Sequence, residues 1–195
     1  MNILFKDRLE RAKVFEKGHF NISYSHHADT IITDRYAIAR NPYLFKAITK
    51  QIGVETIRLK VEATVILSNT AFETLIASQI ACQFGQHFAQ ITKKNEKYAF
   101  ENGFDEIVIG KDVILFKDFI FNHYDSMTVS DIIYHASMLG ATINGVVTIW
   151  DGFGFNAKTI PTRSIIKDKI GVWEKNKCPL CAEGIGLVDA VNKDI

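Results

Sequence analysis

A chain of 195 residues with 47% hydrophobic residues, 23% charged residues and only 3 prolines has the composition of an ordinary folded domain, which excludes the disordered, collagen-like and low-complexity classes. With 23 basic against 22 acidic residues the formal net charge is +1, so no global field draws in nucleic acid or an anionic membrane, and any anionic ligand needs a local site. No segment approaches the roughly 20 consecutive apolar residues of a membrane span, residues 1–11 lack the apolar run of a signal peptide, and 3 cysteines do not describe a disulfide scaffold; a cytoplasmic location is expected.

Along residues 1–16, Leu4, Phe5, Leu9, Ala12 and Phe15 recur at helical spacing, and Gly18 is the expected stop. From His19 to Arg40 the pattern turns β-prone, through Phe20, Ile22, Tyr24, Ile31, Ile32, Tyr36 and Ile38, which predicts a short hairpin or hood. Asn41-Pro42, an N-cap followed by proline at the first helical position, opens a helix that carries Leu44, Phe45, Ile48 and Ile52 and closes at Gly53. A short apolar strand over 63–67 leads through Ser68, Asn69 and Thr70 into a helix lined by Phe72, Leu75, Ile76, Ile80 and Phe84 and ended by Gly85. Strands are predicted over 88–92 and 113–116. A helix with Val129, Ile132, Ile133, Ala136 and Leu139 on one face stops at Gly140, and residues 142–150 supply another buried strand.

Strand and helix thus alternate with short connections, which argues for a parallel sheet wrapped by helices, whose ligands sit at the carboxyl ends of the strands. The loops to inspect are 68–71, 93–103 and 117–126. The second of these is polar enough to be a mobile loop.

Several separated stretches, in order along the chain, resemble one family, the orotate phosphoribosyltransferases. Gly18, His19 and Phe20, followed by Ser23, Tyr24, Ser25, His26, His27, Ala28 and Asp29, look like the family's hood segment over the nucleobase. Lys93, Lys94 and Lys97 resemble the basic residues of its flexible catalytic loop, which in the known dimers reaches into the partner's site. Residues 113–126 lie where the family has its diphosphoribosyl-binding signature, a hydrophobic strand, two acids and a glycine-containing loop opening a helix. The stretch from Ile160 and Pro161 to Cys178, Pro179, Leu180, Cys181 and Gly184 resembles the C-terminal ending of some bacterial and archaeal members. The resemblance implies a doubly wound α/β fold, mostly parallel, of the type I phosphoribosyltransferase kind with a small N-terminal hood. It also implies one domain over 1–195, divided into helix and hood (1–40), core (41–155) and extension (156–195). A homodimer, a small nucleotide-type ligand and magnesium brought with a substrate diphosphate follow from it too, with no tightly bound cofactor, no nucleic acid and no membrane.

On this reading Lys94, Lys97 and Asp118 are the catalytic candidates, and Phe20, Ser25, His26 and His27 face the base. Lys117, Asp118, Asn122, His123, Tyr124, Asp125 and Ser126 surround the phosphoribosyl group, while Ser68, Asn69, Thr70 and Lys93 meet the pyrophosphate. The chain departs from the family's pattern in its phosphate loops. Lys117 stands where the first acid should be, so a charge-assisted hydrogen bond of about 1.5–3 kcal/mol to a ribose hydroxyl is lost or reversed. Asn122, His123, Tyr124 and Asp125 replace the glycines that let backbone approach an anion. At ~4 Å and an effective dielectric near 20, Asp125 repels a phosphate by about 4 kcal/mol per charge, roughly a thousandfold in affinity. Asp125 reads better as the N-cap of the following helix, and Thr70 with Glu73 as a capping box, than as ligand groups.

Cys178 and Cys181 have half the spacing of a zinc site, yet no Cys or His nearby in sequence completes it, so a closed turn without metal is expected. Cys82 lies on an apolar helical face and is expected in the core. Two functions remain in view: a phosphoribosyltransferase with impaired or altered activity, and a non-catalytic relative that binds another small molecule or a protein. A nucleic-acid regulator is disfavoured by the neutral charge.

Overall fold

The computed structural model describes residues 2–95, 97–100 and 103–190. Helix α1 (Asn2–Arg11) is shorter than the apolar spacing predicts. Lys13 takes a left-handed conformation (φ 55°) and turns the chain, so Phe15 and Gly18 fall within strand β1 (Phe15–Ser23). Phe5 and Leu9 reach the core, whereas Leu4 is exposed. β1 pairs antiparallel with β2 (His26–Ile32), which is the expected hairpin. The β-prone residues beyond it are helical instead: the Asp34 carboxylate accepts the Ala37 N–H and starts α2 (Tyr36–Arg40), a local bond that outweighs the strand propensity of Tyr36 and Ile38.

Helix α3 (Pro42–Arg58) starts where predicted, with the Asn41 side chain accepting the Leu44 N–H at 3.1 Å. It runs through Gly53 rather than ending there. β3 (Val65–Ser68) and α4 (Ala71–Phe84) follow, α4 carrying the predicted capping box at Thr70 and Glu73 and ending at left-handed Gly85 (φ 63°). A Cβ on Gly53 would come within 3.2 Å of the Phe84 ring, so that glycine marks close packing of α3 on α4, not a helix end. Cys82, expected in the core, is exposed on α4.

β4 (His87–Lys94) and β5 (Lys97–Phe100) form a hairpin through much of the stretch expected as a mobile loop, whose residues 96, 101 and 102 lie outside the described residues. After α5 (Phe104–Val108), β6 (Asp112–Ile120) is longer than predicted and absorbs 117–120 into the sheet. α6 (His123–Met138) and β7 (Thr142–Asp151) come next, then β8 (Thr162–Ile166), β9 (Val172–Glu174), α7 (Pro179–Ala182) and β10 (Val188–Asp189).

Two sheets result. The central one has the order β5-β4-β3-β6-β7-β8, parallel except for β5 at its edge. The fold is therefore the expected α/β type with a mostly parallel sheet. Along β3 and β6 alternate residues enter different cores. Ile66, Ile114 and Phe116 join Ile52 and Ile76 of α3 and α4, whereas Val65, Leu67, Val113 and Leu115 join Val108, Val129 and Ile132 of α5 and α6. The second sheet, the hood, has the order β10-β1-β2-β9, so strands from both ends of the chain build it. The residues of the extension thus divide between the sheets, β8 in the central one and β9 and β10 in the hood. Among the described residues no helix is long and apolar enough to cross a membrane. From β3 the chain moves to β4 on one side and returns to β6 on the other, so the carboxyl ends of β3 and β6 flank the crevice where ligands of such sheets bind.

Candidate functional site

At the end of β3 the chain turns into α4 through Ser68, Asn69 and Thr70. The Glu73 carboxylate accepts the backbone N–H groups of Asn69 (2.9 Å) and Thr70 (3.0 Å), and the Thr70 hydroxyl accepts that of Glu73. Ser68 is buried and hydrogen-bonds to Thr74, while the Asn69 amide donates to the Ile91 carbonyl. These N–H groups, which in a phosphate-binding turn would meet an anion, already hold a carboxylate of the chain itself.

The end of β6 repeats the arrangement. Asn122 caps α6 by accepting the N–H groups of Tyr124 and Asp125, and the Asp125 carboxylate accepts those of Phe121 (2.8 Å) and Asn122 (3.2 Å). Ser126 donates its N–H to the Asn122 carbonyl within the first turn. His123 and Tyr124 project outward into the neighbouring pocket.

Between the two turns lies a buried charge cluster. Lys117 donates to Glu73 (2.5 Å) and to Asp118 (3.1 Å), and Asp118 also accepts from Arg35 (2.8 Å) and from the Phe119 N–H (2.7 Å). Two cations thus face two anions, with Asp125 at the edge. Burial alone would strip the Lys117 charge, but the Asp118 and Glu73 carboxylates outweigh it and push its pKa well up. For Asp118, burial opposes ionisation and is outweighed by Lys117 and Arg35, so its pKa is lowered. For Glu73 burial wins over the attraction of Lys117, and its pKa is raised. Asp125 is raised by burial, its backbone hydrogen bonds and Lys117 only partly compensating. Lys117, assigned by the sequence to a phosphate, is therefore committed to carboxylates.

A group whose folded pKa is lowered contributes stability above its unfolded value, here about 3.9 for aspartate, and loses it as pH falls through the folded value. The stability gap between the wild type and Asp118→Asn is thus expected to be largest near neutral pH and to shrink below about pH 4. Urea unfolding midpoints across that range check it, and a constant gap would contradict it.

Two adjoining clefts lie here, of which the smaller opens over this cluster. The smaller, about 230 Å³, is lined by Arg35, Lys117, Asp118 and Asp125. The larger, about 520 Å³, has mostly apolar walls from Ile22, Phe121, Tyr124, Phe153, Ile170 and Val172, and among its polar groups are His26, His123, Lys169 and Glu174. Phe121, Asn122 and Tyr124 line both clefts. Of the residues assigned to a base, only His26 reaches the larger cleft. Phe20 is buried in the hood with Ile31 and Ala190, and Ser25 lies at the hairpin turn, where its hydroxyl bonds to the His26 ring at 2.9 Å. Lys93, Lys94 and Lys97 lie on the β4–β5 hairpin and line neither cleft.

His27 turns the other way, into a group with buried His19 and Cys178 and exposed Cys181, whose ligand atoms all lie within 4.8 Å of one another. The expectation that Cys178 and Cys181 lack two further ligands is corrected here: both histidines come from the hood hairpin, far away in sequence and adjacent in space. The sequence reading also missed Arg35 and Lys169, isolated basic residues that the fold alone brings to the clefts.

No family model matches the chain. It is similar to the orotate phosphoribosyltransferase of Caldanaerobacter subterraneus subsp. tengcongensis, 28% identical over 185 residues that cover 92% of this chain and 91% of the relative. Among solved structures it is similar to the orotate phosphoribosyltransferase of Aeropyrum pernix, with a TM-score of 0.68 at 12% identity, covering 84% of this chain and 92% of that one. The adenine phosphoribosyltransferase of Rhodothermus marinus superposes with a TM-score of 0.63 at 13% identity, covering 84% and 98%. Two relatives named for different bases share the architecture, so the fold does not select the base. The chain has the type I phosphoribosyltransferase fold and resembles the orotate phosphoribosyltransferases over nine-tenths of its length.

Proposed function

We propose that this chain is a phosphoribosyltransferase-like protein whose use of phosphoribosyl pyrophosphate is impaired, and which binds a small nucleotide-type ligand under the hood. One observation carries the reading: the Asp125 carboxylate sits on the N–H groups of Phe121 and Asn122, where the fold would hold a 5′-phosphate. Glu73 does the same at the turn that would receive pyrophosphate. A phosphate must displace a carboxylate that is bonded in place and repels it by about 4 kcal/mol at contact distance and an effective dielectric near 20. The larger cleft, with apolar walls and with His26, Lys169 and Glu174 among its polar groups, suits a planar ring that has both donor and acceptor edges. Lys94 and Lys97 would act on a pyrophosphate only through a second copy of the chain, and a homodimer belongs to this proposal. Exposed Met127, Tyr134 and Met138 on α6 favour the second reading, a protein partner.

Titration calorimetry with magnesium phosphoribosyl pyrophosphate tests the proposal. Little or no heat is expected from the wild type at millimolar ligand, and measurable binding from Asp125→Gly with His123→Gly and Tyr124→Gly. Micromolar binding by the wild type would overturn it, and so would a folded triple variant that gains nothing.

A further inference from the structure

Outside the clefts, the most concentrated set of potential metal ligands is where the C-terminal segment meets the hood. His19 on β1 and His27 on β2 face Cys178, just before α7, and Cys181 within it. The contacts are His19 Nε2 to His27 Nδ1 at 3.0 Å, Cys178 Sγ to His19 Nε2 at 3.4 Å, and Cys181 Sγ to His19 Nε2 at 3.6 Å and His27 Nδ1 at 3.3 Å. A tetrahedron with metal bonds of about 2.0–2.1 Å to nitrogen and 2.3 Å to sulfur has edges of roughly 3.3–3.8 Å. The three sulfur–nitrogen contacts fall in that range, the two histidine nitrogens are slightly closer at 3.0 Å, and all four atoms lie within 4.8 Å of one another, close to the corners of such a site.

Hydrogen bonding alone accounts poorly for this packing. His19 is in contact through Nδ1 with the Ile185 carbonyl at 2.8 Å, which acts only as an acceptor, so Nδ1 carries the proton and a neutral ring has one lone pair on Nε2. Three donor-capable atoms crowd that single lone pair, whereas one cation would accept electron pairs from all four groups. The Ile185 contact is also what a metal-bound imidazole requires, since it fixes the tautomer and aims Nε2 at the centre. Among the described residues, every hydrogen-bond contact of the His27 ring is made at the cluster and its Nε2 has no partner. The backbone around the cysteines is a tight knuckle: Gly184, left-handed at φ 71°, donates to the Cys181 carbonyl, and Ile185 donates to that of Leu180. It turns the Ile185 carbonyl back toward His19.

We propose that His19, His27, Cys178 and Cys181 bind one structural zinc ion that pins the C-terminal segment to the hood. Two imidazoles and two thiolates select zinc over magnesium or calcium, and four protein ligands leave no open position for catalysis. The ion cross-links β1 and β2 to α7, between β9 and β10, the outer strands of the hood sheet. Because His26 faces the cleft from the residue beside His27, the same cross-link holds the roof of the ligand cleft in place.

Metal analysis of the full chain, grown in zinc-replete medium and purified under reducing conditions without chelator, tests this. One zinc per chain is expected, lost in Cys181→Ser and in His19→Ala and retained in Cys82→Ser. Exchange for cobalt(II) is expected to give the intense visible bands of a tetrahedral thiolate site, a reading on the wild type that stands even if the variants fail to fold. Wild-type protein that holds no metal and takes up no cobalt would overturn the proposal. So would zinc retained in Cys181→Ser, iron in place of zinc, or a metal-free chain with Cys178 and Cys181 joined as a disulfide.

Discussion

Lys117→Met is expected to destabilise the fold by about 3–5 kcal/mol, the range for breaking a buried ion pair by removing one partner. The side chain is buried between Glu73 and Asp118, and its loss leaves both carboxylates facing each other with only Arg35 as counter-charge. Part of the cost returns if one acid is neutralised as well, so Lys117→Met with Glu73→Gln is expected to be more stable than Lys117→Met alone. Urea unfolding of the three proteins measures the coupling, and additive changes would show that the pair contributes nothing as a unit. The substitution also bears on function. Lys117 lines the smaller cleft, where its charge is bound by Glu73 and Asp118.

Trp150→Ala is expected to cost a comparable amount, about 3–5 kcal/mol, through the cavity it leaves. Trp150 is buried on β7, with its ring edge-on to Phe15 (5.0 Å) and Phe121 (4.9 Å), and its indole N–H donates to the Asp168 carbonyl at 2.7 Å. It therefore joins the central sheet to β1 of the hood and to the wall of the larger cleft, of which Phe121 is part. Trp150→Phe is expected to recover much of the loss, since it restores most of the buried ring and forfeits only the indole hydrogen bond. Thermal unfolding ranks the three proteins, and a loss in Trp150→Ala below about 1 kcal/mol would mean that this junction is not packed as described.

Features set by local chemistry were legible before any tertiary contact was known. Asn41 before Pro42, the Thr70 and Glu73 box, and Gly85 and Gly140 behind apolar helical faces each mark a boundary that the fold keeps. The apolar strands between those helices were enough to infer a mostly parallel sheet. Errors arose where a residue serves a neighbour distant in sequence. Gly53 looks like a stop because its absent side chain makes room for Phe84, and Phe15 looks helical because it is spaced like Leu9, although it packs on Trp150 from a strand.

The candidate site divides the same way. That Thr70 and Glu73 form a capping box followed from spacing, because such a box needs only four consecutive residues, whereas Asp125, expected as an N-cap, is instead the third helical residue of a box opened by Asn122. That Lys117 is neutralised by Glu73, and that His19 and His27 complete the spacing of Cys178 and Cys181, depended on which strands lie side by side. The sequence by itself determined the helix boundaries marked by Asn41, Thr70, Gly85 and Gly140, the alternation of strand and helix, and the Glu73 carboxylate that fills the turn after β3, since each rests on hydrogen bonds and periodicities spanning a few residues. The tertiary structure decided the buried ion cluster, the clefts beneath the hood and the histidine–cysteine site. Those depend on strand order, which brings together residues that local spacing cannot relate.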